Sequence, residues 1–417
     1  MRPIVAALAA VLTVPLVIVS GGLTQPDRAA AAPAAAVNSP GLYQPVTRVR
    51  ALDTRSYGKI PAGSDISVQV TGLGEVPASG VVAVSVNLTV LNPAVSGSLS
   101  VYALWTNFSG ATMSFQAGHT VQNFETVPIV AGQYIGIRNN AGAAIDLIVD
   151  VVGYHAEAAP GDSYGLYQPM TPTRLLDTRT GQPVGAGQTR TIQVAGYAGI
   201  PAAGSSPGGM AAVVNFTVLS PSKSGSLTVG TDNLARNTPS ISFAAGQTEQ
   251  SQLLMGLDSG GALPVRNNSG AAVQLIADVV GYYTGITQDG NQTFFADDSY
   301  ARAYDSRATG SAPVPAGGTV DVDVLQTALN WGQAPNGVSA GSINVTVLNP
   351  STDGSISVWP ADTAWDGAAT VSFTAGQNRQ RMLMAKVGAG PESGIVRIRN
   401  NSSAPITLIV DLNGWSA

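Results

Sequence analysis

One ordered set of motifs runs through this chain three times, and that repetition constrains the fold more than any composition value. Gly41-Leu42-Tyr43-Gln44-Pro45 recurs as Gly165-Leu166-Tyr167-Gln168-Pro169. An Arg-x-x-Asp-(Thr/Ser)-Arg motif follows at Arg50, Asp53 and Arg55, at Arg174, Asp177 and Arg179, and at Arg302, Asp305 and Arg307. Next come alternating stretches holding Asn87 and Thr89, Asn215 and Thr217, and Asn344 and Thr346. An Arg-Asn-Asn triplet starts at Arg138, Arg266 and Arg399, and each copy closes on Asp-(Val/Leu)-x-Gly-(Tyr/Trp) from Asp150, Asp278 and Asp411. Asp53, Asp177 and Asp305 are 124 and then 128 residues apart. Solenoid units are roughly 20 to 50 residues long and need their neighbours to bury a core. A period this long predicts complete domains in tandem, at 41–155, 165–284 and 292–417, the third divergent, behind a leader at 1–36.

The mature chain shows no long 3.6-residue apolar period. Short runs rich in Val, Ile and Thr are bounded instead by Gly, Pro and Asn, which is the pattern of strands and tight turns. The fold class expected is all-β, with three tandem β-sandwich, jelly-roll-like domains and a closed barrel as runner-up.

Composition narrows the function classes. Only 11% of the 417 residues are charged, the formal net charge is −5, and no run of basic residues offers a nucleic-acid surface. Cysteine is absent, so disulfides and thiolate chemistry are excluded. Arg2, an apolar stretch from Ile4 to Val19 and an Ala-rich segment from Ala29 to Ala36 read as a secretory signal with its cleavage region. The stretch is short for a membrane span of about 20 residues, so no membrane association is expected after cleavage. The expected location is extracellular, with cell-wall association.

In a chain so poor in charge, two Arg and two Asp kept in every copy call for an account. Asp150 lies in a stretch, Ile145 to Val151, that alternation makes apolar on both faces, so its carboxylate must be paired. Arg50, Asp53, Arg55 and Asp150, with Arg174, Asp177, Arg179, Asp278 and Arg302, Asp305, Arg307, Asp411, are expected to form buried structural ion-pair networks. The alternative is an Arg-lined pocket for an anion or sugar acid. The rows Asn87/Thr89, Asn215/Thr217 and Asn344/Thr346 are candidate ligand-binding faces, suited to sugar hydroxyls; the alternative is that their amides tie down a loop. Catalysis has little footing. The only histidines, His119 and His155, have no histidine at the matching positions, and neither catalytic motifs nor metal-ligand spacings occur. No cofactor is expected. Tyr43, Tyr167 and Phe295 align, as do Tyr154, Tyr282 and Trp415, which points to packing; Trp331, Trp359 and Trp365 crowd the third copy, marking it as a terminal cap or as the copy specialised for a partner.

Arg174-Leu175-Leu176-Asp177-Thr178-Arg179, closed by Asp278-Val279-Val280-Gly281-Tyr282-Tyr283, resembles a repeat module of secreted actinobacterial proteins. The resemblance covers nearly the whole mature chain, although the third copy departs from it at Ala303-Tyr304-Asp305-Ser306. It implies secretion and a module without catalysis or an established biochemical role, and it adds no site residues. The expected function is therefore non-catalytic binding or scaffolding at the cell envelope. Its expected partner is a cell-wall or extracellular polysaccharide or a surface protein, with multivalency raising a weak affinity per domain. A self-associating structural surface protein is the second class, and a secreted carbohydrate-active enzyme the third.

Overall fold

The computed structural model describes residues 18–19, 40–104, 111–130, 132–159, 162, 164–203, 209–230, 239–285, 294–330 and 337–417. The expected signal and processing segment lies outside the described residues, except for Ile18–Val19, two residues paired with the edge of a strand at Ile66 and Asp65.

Among the described residues, each repeat supplies eight strands. In the first they are β1 (Pro40–Asp53), β2 (Asp65–Gln69), β3 (Val81–Leu91), β4 (Gly97–Ala103), β5 (Met113–Phe115), β6 (Val121–Pro128), β7 (Tyr134–Asn139) and β8 (Asp146–Glu157). They form two antiparallel sheets, β1-β8-β3-β6 and β2-β7-β4-β5. The second repeat repeats this order with β9 (Tyr167–Asp177), β10 (Thr189–Gln193), β11 (Gly209–Leu219), β12 (Gly225–Val229), β13 (Ile241–Phe243), β14 (Glu249–Gly256), β15 (Ala262–Asn267) and β16 (Gln274–Thr284). The third has β17 (Phe294–Asp305), β18 (Thr319–Asp323), β19 (Ala340–Leu348), β20 (Gly354–Pro360), β21 (Val371–Phe373), β22 (Arg379–Lys386), β23 (Ile395–Asn400) and β24 (Thr407–Ser416), with one short helix, α1 (Val324–Asn330), after β18.

Alternation along β3 sends Val84, Val86, Leu88 and Val90 into a core shared with Leu99, Val101, Ile135 and Ile137 of the facing sheet. The matching residues build a separate core in each of the other two repeats. The other face of the first sheet is buried as well. Tyr43, Ala83, Phe124 and Val152 meet Tyr167, Val213, Leu254 and Tyr283 of the second repeat and Ala340, Met382 and Met384 of the third, forming a fourth core between the repeats.

This fourth core corrects the expectation of three self-contained sandwich domains in tandem. The six sheets close into a ring with pseudo-threefold symmetry, and three matching glutamines mark its contacts. Gln122 donates to Ser242 Oγ at 2.9 Å and accepts from the Ser242 amide at 2.7 Å. Gln250 accepts from Ser372 Oγ at 2.8 Å, and Gln380 accepts from Ser114 Oγ at 2.5 Å. The ring closes where β17 pairs with β1, Phe294 against Gly41 and Phe295 against Pro40, which fuses a sheet of the third repeat to one of the first. A sheet covered on both faces carries apolar side chains on both, which is why Ile148 and Val152 flank Asp150 on its second face.

Candidate functional site between the second and third repeats

A groove runs along the contact between the second and third repeats. One wall is built by β9, β11 and β16. Between Pro169 and Thr173 the pairing of β9 with β16 shifts register, and this bulge turns Met170, Thr171 and Pro172 toward the groove. The opposite wall is the end of β20, which presents Trp359, and the segment after it, which presents Trp365. The inner part of the groove encloses about 80 Å³. It continues, through Asp278, Asp366, Ala368 and Ala369, into an open part of about 690 Å³ bordered by Arg174, Arg179, Thr217 and Gln250.

The two tryptophans are fixed by their own indoles. Trp359 Nε1 donates to the Thr363 carbonyl at 3.1 Å and Trp365 Nε1 to the Ala368 carbonyl at 3.2 Å. Their rings stack with centroids 6.4 Å apart, and the Arg399 guanidinium lies 4.6 Å from the Trp365 ring centroid. Trp359 is buried, whereas Trp365 is 40% exposed. Polar groups converge from the second repeat. Asn215 is buried, its amide nitrogen 3.5 Å from the Ala369 carbonyl, and its Oδ1 has no partner among the described residues. Gln252 holds the Met384 amide at 2.6 Å. Burial lifts the Asp278 carboxyl above the usual carboxylate range; its bond from Arg174 pulls the other way, and the nearby Asp366 carboxylate adds to the rise.

The repeated charges do meet, although not as deeply as expected. Arg50 donates from Nε to Asp150 and from Nη1 to Asp53 at 2.8 Å, while Arg55 clasps Asp53 with Nε at 2.8 Å and Nη2 at 2.5 Å. Arg174, Arg179, Asp177 and Asp278 repeat this geometry, as do Arg302, Arg307, Asp305 and Asp411. Asp150 is fully buried, but the guanidinium ends reach water: Arg50 is 32%, Arg174 38% and Arg302 47% exposed. The expectation of buried networks is corrected to ion pairs with one buried and one wet end in the first two repeats, and to a partly exposed pair in the third, where Asp411 is 17% exposed. The paired Arg side chains hold Asp53 and Asp177 below the usual carboxylate range, Asp177 at about 2. Burial raises Asp150 and Asp411 as it does Asp278.

The Asn/Thr rows are not open faces. Asn87, Thr89, Asn215, Thr217, Asn344 and Thr346 are all buried where repeats meet. Asn344 Nδ2 lies 3.4 Å from the Ala111 carbonyl of the first repeat, the counterpart of the Asn215 contact, and Thr217 accepts from Gln250 at 3.2 Å. The expectation of three exposed sugar-binding rows is corrected: water leaves these faces because the neighbouring repeat covers them. Asn215 and Thr217 alone among the six line the groove. Of the histidines, His155 is buried between Tyr43 and Tyr283, and burial depresses it to about 3. The inter-repeat glutamines were legible as a fixed repeat position and were missed. Trp359 was legible as a departure, since Tyr102 and Gly230 stand at its counterparts.

No protein-family model matches the chain, and no curated protein matches it significantly. Among solved structures, one described as showing a triple jelly roll fold and turret assembly in an archaeal virus aligns over 91% of this chain and 90% of its own, at 12% identity and a TM-score of 0.18. The atomic structure of Sulfolobus Turreted Icosahedral Virus aligns over 90% of both chains at 11% identity and a TM-score of 0.19. The M60 catalytic domain with CBM51-1 and CBM51-2 domains from Clostridium perfringens ZmpB aligns over 92% of this chain and 38% of its own, at 10% identity and a TM-score of 0.17. Likenesses this weak carry no argument about fold or function.

Proposed function

We propose that this is a secreted, non-catalytic binding protein of the cell envelope that takes a polysaccharide segment into the groove between its second and third repeats. The observation that carries the reading is the half-exposed Trp365 ring lining one groove with the Asn215 amide and the Asp278 and Asp366 carboxylates. An aromatic face covers the apolar C–H surface of a sugar ring, and buried acceptors select its hydroxyls. Asp278 is held by Arg174, and no histidine lines the groove, so its carboxylates suit binding more than proton transfer. The Trp pair occurs in one repeat, which favours a single site per chain over the multivalent mechanism. Each repeat is a jelly-roll-like unit in this reading; the pairing of orders β1-β8-β3-β6 and β2-β7-β4-β5 supports that. The leader read from the sequence supports export.

The test is retention of the mature chain on insoluble cell wall and on a glycan panel, with release of reducing sugar followed in parallel. Trp365→Ala should weaken retention about tenfold, the usual effect of losing an aromatic anchor, with an unchanged melting temperature. Retention equal to wild type, or no retention of either protein, would remove the groove from consideration. Sustained sugar release lost in Asp366→Asn would make the protein an enzyme.

A further inference from the structure

A second chamber lies where all three repeats meet, and neither tryptophan lines it. Matching segments of all three repeats line it: Ser114 with His119, Ser242 with Gln247, and Ser372 with Gln377. It encloses about 540 Å³, far more than a bare ion fills. The scaffold around it is symmetric, but its charge is not. Val121, Glu249 and Arg379 occupy one equivalent position, and Asn123, Ser251 and Arg381 another. Two guanidinium groups therefore share one carboxylate. Arg379 and Arg381 both donate from Nη2 to the same oxygen of Glu249, the latter at 2.7 Å.

We propose that this chamber binds a phosphate-type oxyanion, with Arg379 facing the ligand and Arg381 supporting it from behind. Arg379 and Glu249 are 18% and 17% exposed and Arg381 is 4% exposed, so the surplus positive charge sits where water screens it poorly. Glu249 is the one acidic residue among the described residues that line the chamber. Neither Arg379 Nε nor Arg381 Nε has a partner among the described residues. Burial, and then the neighbouring Arg379, depress Arg381 to about 10, so it stays charged at neutral pH. The ring does not need these charges to close. The contact between the first two repeats is made by the same Gln–Ser pair with Val121 in place of a charge. A guanidinium that the scaffold does not require, facing a chamber rimmed by amides and hydroxyls, has the chemistry that selects a tetrahedral oxyanion. The volume leaves room for a sugar-sized body attached to it. The chamber borders the open part of the groove, with which it shares Gln247, Thr248, Ser372, Phe373 and Thr374, but neither tryptophan lines it, and Trp365→Ala should leave it unchanged.

The experiment is calorimetric titration of the mature chain with inorganic phosphate, with glucose 6-phosphate and with glucose, joined to melting curves in phosphate and in chloride at matched ionic strength. Both phosphates should bind and raise the melting temperature above that in chloride, by mass action on the folded state. Glucose should do neither. Tighter binding of glucose 6-phosphate than of inorganic phosphate would identify a phosphorylated sugar as the natural class; equal binding would identify the free ion. Arg379→Gln should weaken binding at least tenfold. Glu249→Gln removes the competing carboxylate, so phosphate should raise its melting temperature more than that of wild type. The proposal is overturned if phosphate and chloride give the same melting temperature, if glucose matches glucose 6-phosphate, or if Arg379→Gln binds as wild type does. Should Arg379→Gln fail to fold, absence of a larger phosphate effect in Glu249→Gln overturns it alone.

Discussion

Asp177 is held by two guanidinium groups that remain in contact with water, and this sets what its loss should cost. A buried network would predict roughly 3 kcal/mol or more for Asp177→Asn, because it strands a buried charge. With Arg174 38% and Arg179 55% exposed, both cations can be solvated instead, and about 1 kcal/mol is expected. Urea denaturation of the two proteins measures it; a loss above 3 kcal/mol would mean that the pair is effectively buried. His155 gives the clearest pH signature. Its folded value lies near 3 and its unfolded value near 6.5, so between these the unfolded chain binds the extra proton and stability falls as pH falls. His155→Phe, filling the space between Tyr43 and Tyr283, should flatten that slope. Relative to the variant, wild type should lose up to about 1.4 kcal/mol per pH unit between pH 6 and 4. Identical slopes in urea titrations would show that His155 is protonated in the folded protein.

Two of the repeated motifs explain each other at the level of strands. The Gly of Asp-Val-Val-Gly lies under the Tyr of Gly-Leu-Tyr-Gln-Pro: a Cβ added at Gly153 would overlap the Tyr43 ring, and one at Gly281 the Tyr167 ring. Each phenol then donates across the strand, Tyr43 to the Val152 carbonyl and Tyr167 to the Val280 carbonyl, both at 3.3 Å. Gly281→Ala should therefore cost about 2 kcal/mol by overpacking. Adding Tyr167→Leu should recover part of it, a coupling above about 1 kcal/mol in a double-mutant cycle of melting curves. Simple additivity would separate the two motifs. The Arg-Asn-Asn triplet also has a local role. Asn139 Nδ2 donates to the carbonyls of Ile60, Pro61 and Ala143, pinning one turn to another, and Asn267 and Asn400 do the same.

Across the whole molecule the ring makes the repeats depend on one another. A unit of about 120 residues has enough chain for its own core, so the sequence favours a soluble, monomeric fragment at 165–284. In the ring, however, that fragment buries Tyr167, Ala211, Val213, Leu254, Val280 and Tyr283 against its neighbours. Cut out, it exposes them as one apolar patch, and it should self-associate and bind a hydrophobic dye. Sedimentation of the fragment beside the full chain is the measurement; a monodisperse monomer would show that the shared core contributes little. The full chain should melt in one transition, because three double-sheet cores meet at a fourth.

The sequence alone determined that this chain is all-β, that one pattern is used three times, and which charges recur together. Those features are local or periodic: alternation at two residues marks a strand wherever it lies, and a repeat is visible without knowing what it touches. What covers the second face of each inner sheet was decided only by the tertiary structure. Ser85, Asn87 and Thr89 have the same alternation whether they face water or a neighbouring repeat, since hydroxyls and amides hydrogen-bond equally well to either. The Trp365 groove and the Arg379–Arg381–Glu249 chamber draw on residues more than a hundred positions apart, brought together by closure of the ring. In the sequence their one trace is a break in the repeat, where Tyr102 and Gly230 give way to Trp359, and Val121 and Glu249 to Arg379.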